Sequence, residues 1–383
     1  MGGEDSVYTA ERALLLQHGH TVTDFLEDNS RIASMNRLAL AGQAIWSRSS
    51  HRRLSRMIQD KRPDIAYCIN TFPLISPSVY YACRDRSLPV VQGLHNYRSL
   101  CPSADLFRAG RVCQDCLGRI SPWPGVLHKC YRHSRSQTAV VAMMIMVHRW
   151  LRTWQKMVDG YVAPTEFLRK KYIEGGFPPE KIFVKPNFIL TDPGRREGAG
   201  EYAIYIGRLS REKGILSLME SWRRMENLPL KIVGAGSLVD DIQSMIQQYG
   251  LNNVELIGQV SRSQVTPLLK SARFLVFPSE CYESFGLAIV EAFACGVPVI
   301  ASRLGAMAEI VEDNRTGLLF TAGDVTDLTE KIRWAWAHPM QMDEMGREAR
   351  KEFEKKYTAE RNYEIFLEIS ERAIRDHDKG SKE

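Results

Sequence analysis

Two glutamates, Glu283 and Glu291, bracket the start of a helical period in the stretch Pro278-Ser279-Glu280-Cys281-Tyr282-Glu283-Ser284-Phe285-Gly286-Leu287-Ala288-Ile289-Val290-Glu291. A carboxylate accepts hydrogen bonds from hydroxyls. The first amides of a helix, here those of Phe285, Gly286 and Leu287, lack intrahelical partners and can bind an anion. The stretch therefore suits a ligand that carries both hydroxyls and negative charge. Arg208 and Lys213, in the run Gly207-Arg208-Leu209-Ser210-Arg211-Glu212-Lys213-Gly214, add two cations on a loop after an apolar run, where a diphosphate would be neutralised. Two further glycine turns, Gly234-Ala235-Gly236 and Gly258-Gln259-Val260, also follow apolar runs and would wall a base and a ribose.

These residues need strands to present them. Tyr202–Ile206, Leu230–Val233, Val254–Ile257, Phe274–Phe277, Val297–Ile300 and Gly317–Phe320 read as buried strands separated by helical periods. That alternation predicts a doubly wound parallel sheet, in which ligands bind beyond the carboxyl ends of the strands. An earlier series, residues 65–69, 90–92, 161–162 and 182–184, predicts a second sheet in the N-terminal half. A helix over residues 9–16 ends at Gly19, and Thr21–Phe25 alternates as a strand. No strand precedes that helix, so the sequence is expected either to start just past a first strand, whose central place in the sheet would be a gap costing several kcal/mol, or to fill that place with another segment.

The division that follows is an N-terminal Rossmann-like domain over residues 1–186, a linker over 187–200 rich in Gly, Pro and charge, a C-terminal Rossmann-like domain over 201–355, and a returning helix over 356–383 that ends in a frayed tail. With 383 residues and 44% apolar content, two cores are the natural arrangement. The net charge of +6 is unevenly placed. Residues 1–190 hold 26 Lys+Arg against 15 Asp+Glu, a balance of +11, which leaves 6 − 11 = −5 for the rest. Basic residues are dispersed rather than interleaved with aromatics, which argues against nucleic acid; solvated surface and an anionic partner, a phosphorylated substrate or a membrane face, are the readings that remain. Met1 is followed by Gly2-Gly3-Glu4-Asp5 without a signal-peptide pattern, and the longest apolar run, residues 139–147, is too short to span a bilayer. The expected location is the cytoplasm, peripheral to the inner face of the membrane.

Taken together, Gly207-Arg208-x4-Lys213-Gly214, Gly234-x-Gly236, Pro278-Ser279-x3-Glu283-Ser284-Phe285-Gly286-Leu287-x3-Glu291-Ala292 and Gly296-Val297-Pro298-Val299-Ile300-Ala301 resemble the retaining glycosyltransferases of family 4, which have the GT-B fold. Gly2-Gly3-Glu4 matches the family's N-terminal glycine loop, Leu94-His95-Asn96 its histidine loop, and Pro186-Asn187 its linker entry. The resemblance implies two Rossmann-like domains facing a cleft that closes on a nucleotide sugar. Glu291 would hold ribose hydroxyls, and Glu283 the donor sugar. Arg208, Lys213 and the amides of Phe285, Gly286 and Leu287 would hold the diphosphate, and His95 the donor sugar or acceptor. The implied reaction is metal-independent transfer with retention to a glycan or polyprenyl-linked acceptor in envelope or exopolysaccharide assembly. The sole Asp-x-Asp pattern is Asp376-His377-Asp378, far from these stretches. A nucleotide-sugar epimerase of the same architecture and an inactive metal-stabilised binding protein are the alternative readings.

Two features stand outside that pattern. Cys101, Cys113, Cys116 and Cys130 fall in an insertion at about residues 98–135, with the ligand count of a structural zinc site, free thiols and redox pairs being the other readings. The apolar run 139–147, followed by His148-Arg149-Trp150-Leu151-Arg152-Thr153-Trp154-Gln155-Lys156, fits a helix buried in the first domain, and fits contact with a membrane surface as well.

Overall fold

The computed structural model describes residues 3–225 and 227–380, and it divides into two compact units. One comprises residues up to 106, 113–185 and 363 onward, and the other residues 107–112 and 186–362.

In the first unit, β1 (Ala66–Cys68), β2 (Val90–Gly93), β5 (Gly160–Ala163) and β6 (Ile182–Val184) form a parallel sheet in that spatial order. Both faces of β2 and β5 are buried, as continuous apolar runs in a parallel sheet require. In sequence, β2 and β5 are separated by a short hairpin, β3 (Phe107–Arg108) and β4 (Arg111–Val112), whose residues belong to the second unit. Among the described residues no strand precedes the first helix, Gly3–Gln17, and β1 stands at the sheet's edge. The Tyr67 ring of β1 meets Phe366 edge-on at 5.2 Å.

The expected strand over Thr21–Phe25 is not one; the segment runs as irregular chain. Its alternating pattern would need a strand neighbour, and the helix Gly3–Gln17 holds it through side chains instead. Tyr8 donates to Asp24 at 2.6 Å and Arg12 pairs with the same carboxylate at 2.8 Å. The tail expected to fray is likewise ordered, as the helix Ala359–Gly380. Phe366, Ile369, Ala373 and His377 recur at helical spacing and are buried. Ile369 and Ala373 pack on Val91 and Val162, and His377 lies 3.2 Å from Asp159, so Asp376-His377-Asp378 is part of a packed helix.

In the second unit, β7 (Tyr202–Ile206), β8 (Leu230–Val233), β9 (Val254–Gly258), β10 (Ala272–Phe277), β11 (Val299–Ser302) and β12 (Gly317–Phe320) form a six-stranded parallel sheet. The spatial order is β12-β11-β10-β7-β8-β9. The chain thus builds outward from β7 to β9, returns to β10 on the other side of β7, and builds outward again. That reversal opens a crevice above the carboxyl ends of β7 and β10. Large apolar clusters fill both faces of the sheet, around Phe293 and Phe353 on one side and Trp222 and Ile332 on the other.

Residues 187–200 pack onto this second unit rather than swinging free. Phe188 and Arg196 are buried, the Arg196 amide donates to the Cys295 carbonyl at 2.8 Å, and Asp192 takes both guanidinium ends of Arg350 at 2.6 Å. The unit boundary falls at the peptide between Lys185 and Pro186.

Candidate functional site

The crevice of the second unit is walled by the two loops that carried the sequence argument. The loop after β7 passes through a single 3-10 turn, Arg211–Lys213, and the loop after β10 leads into the helix Leu287–Ala294. Lys213 reaches across from the first loop to Glu283 on the second, with Nζ 2.6 Å from Oε1 and 2.8 Å from Oε2. Burial pulls the ammonium down, but the neighbouring Glu283 carboxylate outweighs it and holds the Lys213 pKa above the ordinary lysine value. The buried Ser279 hydroxyl donates to Glu283 Oε1 at 2.7 Å, fixing which way the carboxylate faces.

Backbone shape makes that bridge possible. Gly214 has φ +68° and a Cβ there would collide with the Pro278 carbonyl oxygen, so glycine lets the two loops touch. The Glu280 amide then donates to the Glu212 carbonyl at 2.9 Å, joining the loops a second time. Gly286, at φ +121°, turns the chain into the helix, and a Cβ there would meet the side chains of Ile289 and Phe277. The first amides of this helix have no intrahelical acceptors and follow Glu283 directly in the chain. Gly234 and Gly236 lie against the carbonyls of Gly207 and Leu209, so their small size brings the β8 loop against the Arg208 loop. Gly258 faces open space, and Val260 packs on the core.

Arg208 stands at the rim, 60% exposed, with its guanidinium 2.7 Å from Glu212 and 3.2 Å from the Ser210 hydroxyl. Burial pushes Glu212 up, but hydrogen bonds from Ser210 and its own amide, with Arg208 and Lys213 close by, hold it below the usual carboxylate range. Glu291 sits one turn into the helix, paired at 3.2 Å with Arg262 from the helix Arg262–Lys270. Burial raises its pKa, and Arg262 opposes the rise. The Phe285 ring is a core group packed edge-on against Tyr357, which leaves only its amide for a ligand.

Sequence reasoning missed Glu212, Ser279 and Arg262. The first was legible as an i,i+4 partner of Arg208 and the second lies inside the quoted motif, whereas Arg262 comes from an unrelated helix and has no local signal.

The first unit has a polar cluster of its own. His95 follows β2, and its Nε2 is buried without a hydrogen-bond partner, so close to Gly93 that a Cβ there would stand 2.6 Å away. Burial pushes the imidazole pKa down and Lys185 adds to this, against the pull of Glu11 and Glu4, so the ring is neutral at neutral pH. The Glu4 carboxylate accepts from Asn96 and, at 2.6 Å, from Asn70. Glu11 pairs with Lys185 at 2.6 Å and accepts from Tyr67 at 3.3 Å. Gly3 opens the first helix, and Gly2 lies outside the described residues. Beside His95 a cavity is lined by Asn70, Thr71, Asn96, Arg98, Tyr80 and Tyr172 among others. Arg98 lies between the rings of Phe72 and Tyr131, 4.7 and 4.9 Å from their centroids.

The zinc expectation is not supported. Among the described residues no group of three or more His, Cys, Asp or Glu side chains is arranged to hold a metal ion, and all eight cysteines are free thiols. The sulfurs are engaged separately, Cys101 with the Ser103 hydroxyl at 3.2 Å and Cys116 with the Pro122 carbonyl at 3.7 Å. Burial pushes the Cys116 thiol up to about 12, with Cys101, Cys130 and Cys113 adding to the rise, which keeps it protonated.

With this geometry in place, the chain compares with known proteins as follows. Residues 2–192 match the profile of Glycosyltransferase Family 4, and residues 192–352 that of Glycosyl transferases group 1. The D-rhamnosyltransferase WbpZ of Pseudomonas aeruginosa is 31% identical over 179 residues, 46% of this chain and 47% of that protein. The O-antigen chain mannosyltransferase C of Escherichia coli is 27% identical over 214 residues, 55% of this chain and 57% of that protein. The chain thus spans about half the length of the curated relatives it matches. Among solved structures, Anabaena HepE in complex with UDP superposes with a TM-score of 0.68 at 18% identity, covering 97% of this chain and 96% of that one.

Proposed function

We propose that this chain, which belongs to the family 4, group 1 glycosyltransferases of GT-B fold, moves a glycosyl group from a nucleoside-diphosphate sugar to a glycan or lipid-linked glycan acceptor with retention at the anomeric carbon. The observation that carries the reading is the Lys213–Glu283 bridge at the point where the strand order reverses, beside the start of the helix Leu287–Ala294. It sets a cation, a hydroxyl-binding carboxylate and unpaired amides side by side, the complement of a sugar joined to a diphosphate.

In this reading the ribose lies on Glu291, whose Arg262 contact uses Oε1 and leaves Oε2 to accept from hydroxyls. The diphosphate lies on the Gly286 and Leu287 amides, with Arg208 and Lys213 as counter-charges. Glu283, held in place by Lys213 and Ser279, accepts from donor-sugar hydroxyls. As the bond from the anomeric carbon to the phosphate oxygen breaks, negative charge grows on the diphosphate, and the Gly286 and Leu287 amides, Arg208 and Lys213 stabilise it. The acceptor oxygen forms its bond to the same face, and its proton passes to the departing phosphate oxygen. The cavity beside His95 takes the acceptor, its aromatic walls and amide groups suiting a hydroxylated ring. A setting in envelope polysaccharide assembly draws support from the O-antigen mannosyltransferase among the relatives, and a uridine donor from the UDP held by the Anabaena protein.

The test is turnover of a nucleotide-sugar panel with a lipid-linked or soluble glycan acceptor, with the product's anomeric proton read by NMR. A product keeping the donor's configuration is expected. An inverted product, or sugar epimerised without transfer, would overturn the reading.

A further inference from the structure

Of the eleven large apolar side chains exposed among the described residues, six fall within residues 120–151: Ile120, Trp123, Leu127, Met143, Trp150 and Leu151. They sit on or beside two helices packed against each other, Trp123–Leu127 and Arg135–Trp150. The longer helix has a fully committed inner face, with Val141, Met144, Ile145 and His148 buried. Its outer face, at helical spacing, carries Ala139, Met143 and Trp150 into solvent, and Trp150 is 79% exposed. Interior packing accounts for one side of the apolar run and leaves the other without a role. A further exposed apolar residue, Leu38 at 83%, lies on the helix Arg37–Ile45, which also packs on Arg135–Trp150.

Along this stretch of sequence the charge has one sign, with the exposed acids Asp115 and Glu174 lying at its edge. Residues 116–158 contain seven Lys and Arg and no Asp or Glu. Six of the seven, Arg119, Lys129, Arg132, Arg135, Arg152 and Lys156, are exposed. Tryptophans and leucines set among lysines and arginines match the composition of surfaces that lie in the headgroup layer of an anionic bilayer. No described helix is long and apolar enough to cross a membrane.

We propose that this face, built from residues 119–156, docks the protein onto an anionic lipid surface, with Trp123 and Trp150 entering the headgroup region and the surrounding arginines and lysines pairing with lipid phosphates. It deepens the proposed transfer by bringing the first unit to the place where a lipid-linked acceptor resides. Its evidence is independent of the Lys213–Glu283 site, and its test needs neither donor nor acceptor.

The experiment is flotation of the full chain with vesicles of phosphatidylcholine alone and of equimolar phosphatidylcholine and phosphatidylglycerol, at low and high salt. Binding to the anionic vesicles that weakens with salt is expected. Trp123→Ser/Trp150→Ser and Arg132→Gln/Arg135→Gln/Arg152→Gln should each weaken it about tenfold or more, the scale set by removing a few interfacial groups. The melting temperature without ligand, measured alongside, should be unchanged and reports that both variants are folded. Absence of vesicle binding, equal binding to neutral vesicles, or folded variants that bind as the parent does would each overturn the proposal. So would self-association through the two tryptophans without lipid binding, which would assign the face to a second copy of the chain.

Discussion

The pairs Lys213–Glu283 and Lys185–Glu11 are chemically alike, each a lysine ammonium 2.6 Å from a glutamate oxygen, and they are set in opposite surroundings. Lys213 and Glu283 are 23% and 12% exposed, on loops whose glycines fix an open crevice; Lys185 and Glu11 are 1% and 7% exposed, between a helix and the end of β6. A pair that a ligand can reach can exchange partners, its lysine passing to a phosphate and its carboxylate to hydroxyls. A sealed pair cannot, and its work is to hold the helix Gly3–Gln17 against a sheet to which no strand from that region contributes. Exposure thus separates the two roles.

Breaking the sealed pair should give the largest effect. Lys185→Met leaves Glu11 buried without its cation and should lower unfolding free energy in urea by about 3–5 kcal/mol. Adding Glu11→Leu should recover most of the loss, because two apolar groups need no partner. Equal stability of the single variant and the parent would place the two pairs in one class after all.

At the open pair the loss should be in rate. Glu283→Gln should lower turnover by about 10²–10³, the scale for removing one group that stabilises developing charge, while the melting temperature moves little. A variant that loses stability and keeps its rate would reverse the assignment.

Gly214→Ala sharpens the comparison, since the open pair depends on backbone contact. A side chain against the Pro278 carbonyl at a positive φ should cost about 1–3 kcal/mol and should lower turnover through displacement of Lys213.

The smallest effect concerns pH. The folded His95 pKa lies below its unfolded value, so the unfolded chain binds the extra proton as pH falls below about 6.5. His95 therefore contributes stability that is full above that pH and declines below it, by at most about 1.4 kcal/mol per pH unit. His95→Gln should flatten that part of the urea midpoint's pH profile. An unchanged profile would mean that the ring protonates freely in the folded state.

The open site could be read from sequence because its parts lie in two short stretches after predicted strands, where glycine, arginine, lysine and glutamate keep fixed spacings. The sealed cluster could not. Glu11 meets Lys185 across 174 positions and Asn96 meets Glu4 across 92, and nothing local marks either contact. The same limit explains Arg262 beside Glu291. Thr21–Phe25 has a strand's alternation, but pattern alone does not supply a neighbour to pair with, and Asp24 is held by Tyr8 and Arg12 instead. Cysteine spacing gave the ligand count of a metal site, whereas the sulfurs bond separately to a hydroxyl and a carbonyl. The frayed tail expected at the end of the chain is instead helical to Gly380, because the charged residues there mask the buried spacing of Ile369, Ala373 and His377.

The central claim is that the crevice above β7 and β10 binds the diphosphate of a nucleotide sugar through Lys213, Arg208 and the helix start at Gly286. Calorimetric titration of the full chain with a panel of nucleoside diphosphates and the matching nucleosides tests it most directly. The account predicts saturable binding of at least one diphosphate, much weaker binding of its nucleoside, and loss of most of the diphosphate affinity in Lys213→Ala. Equal affinity for nucleoside and diphosphate, or a Lys213→Ala variant that binds the diphosphate as tightly as the parent, would contradict it.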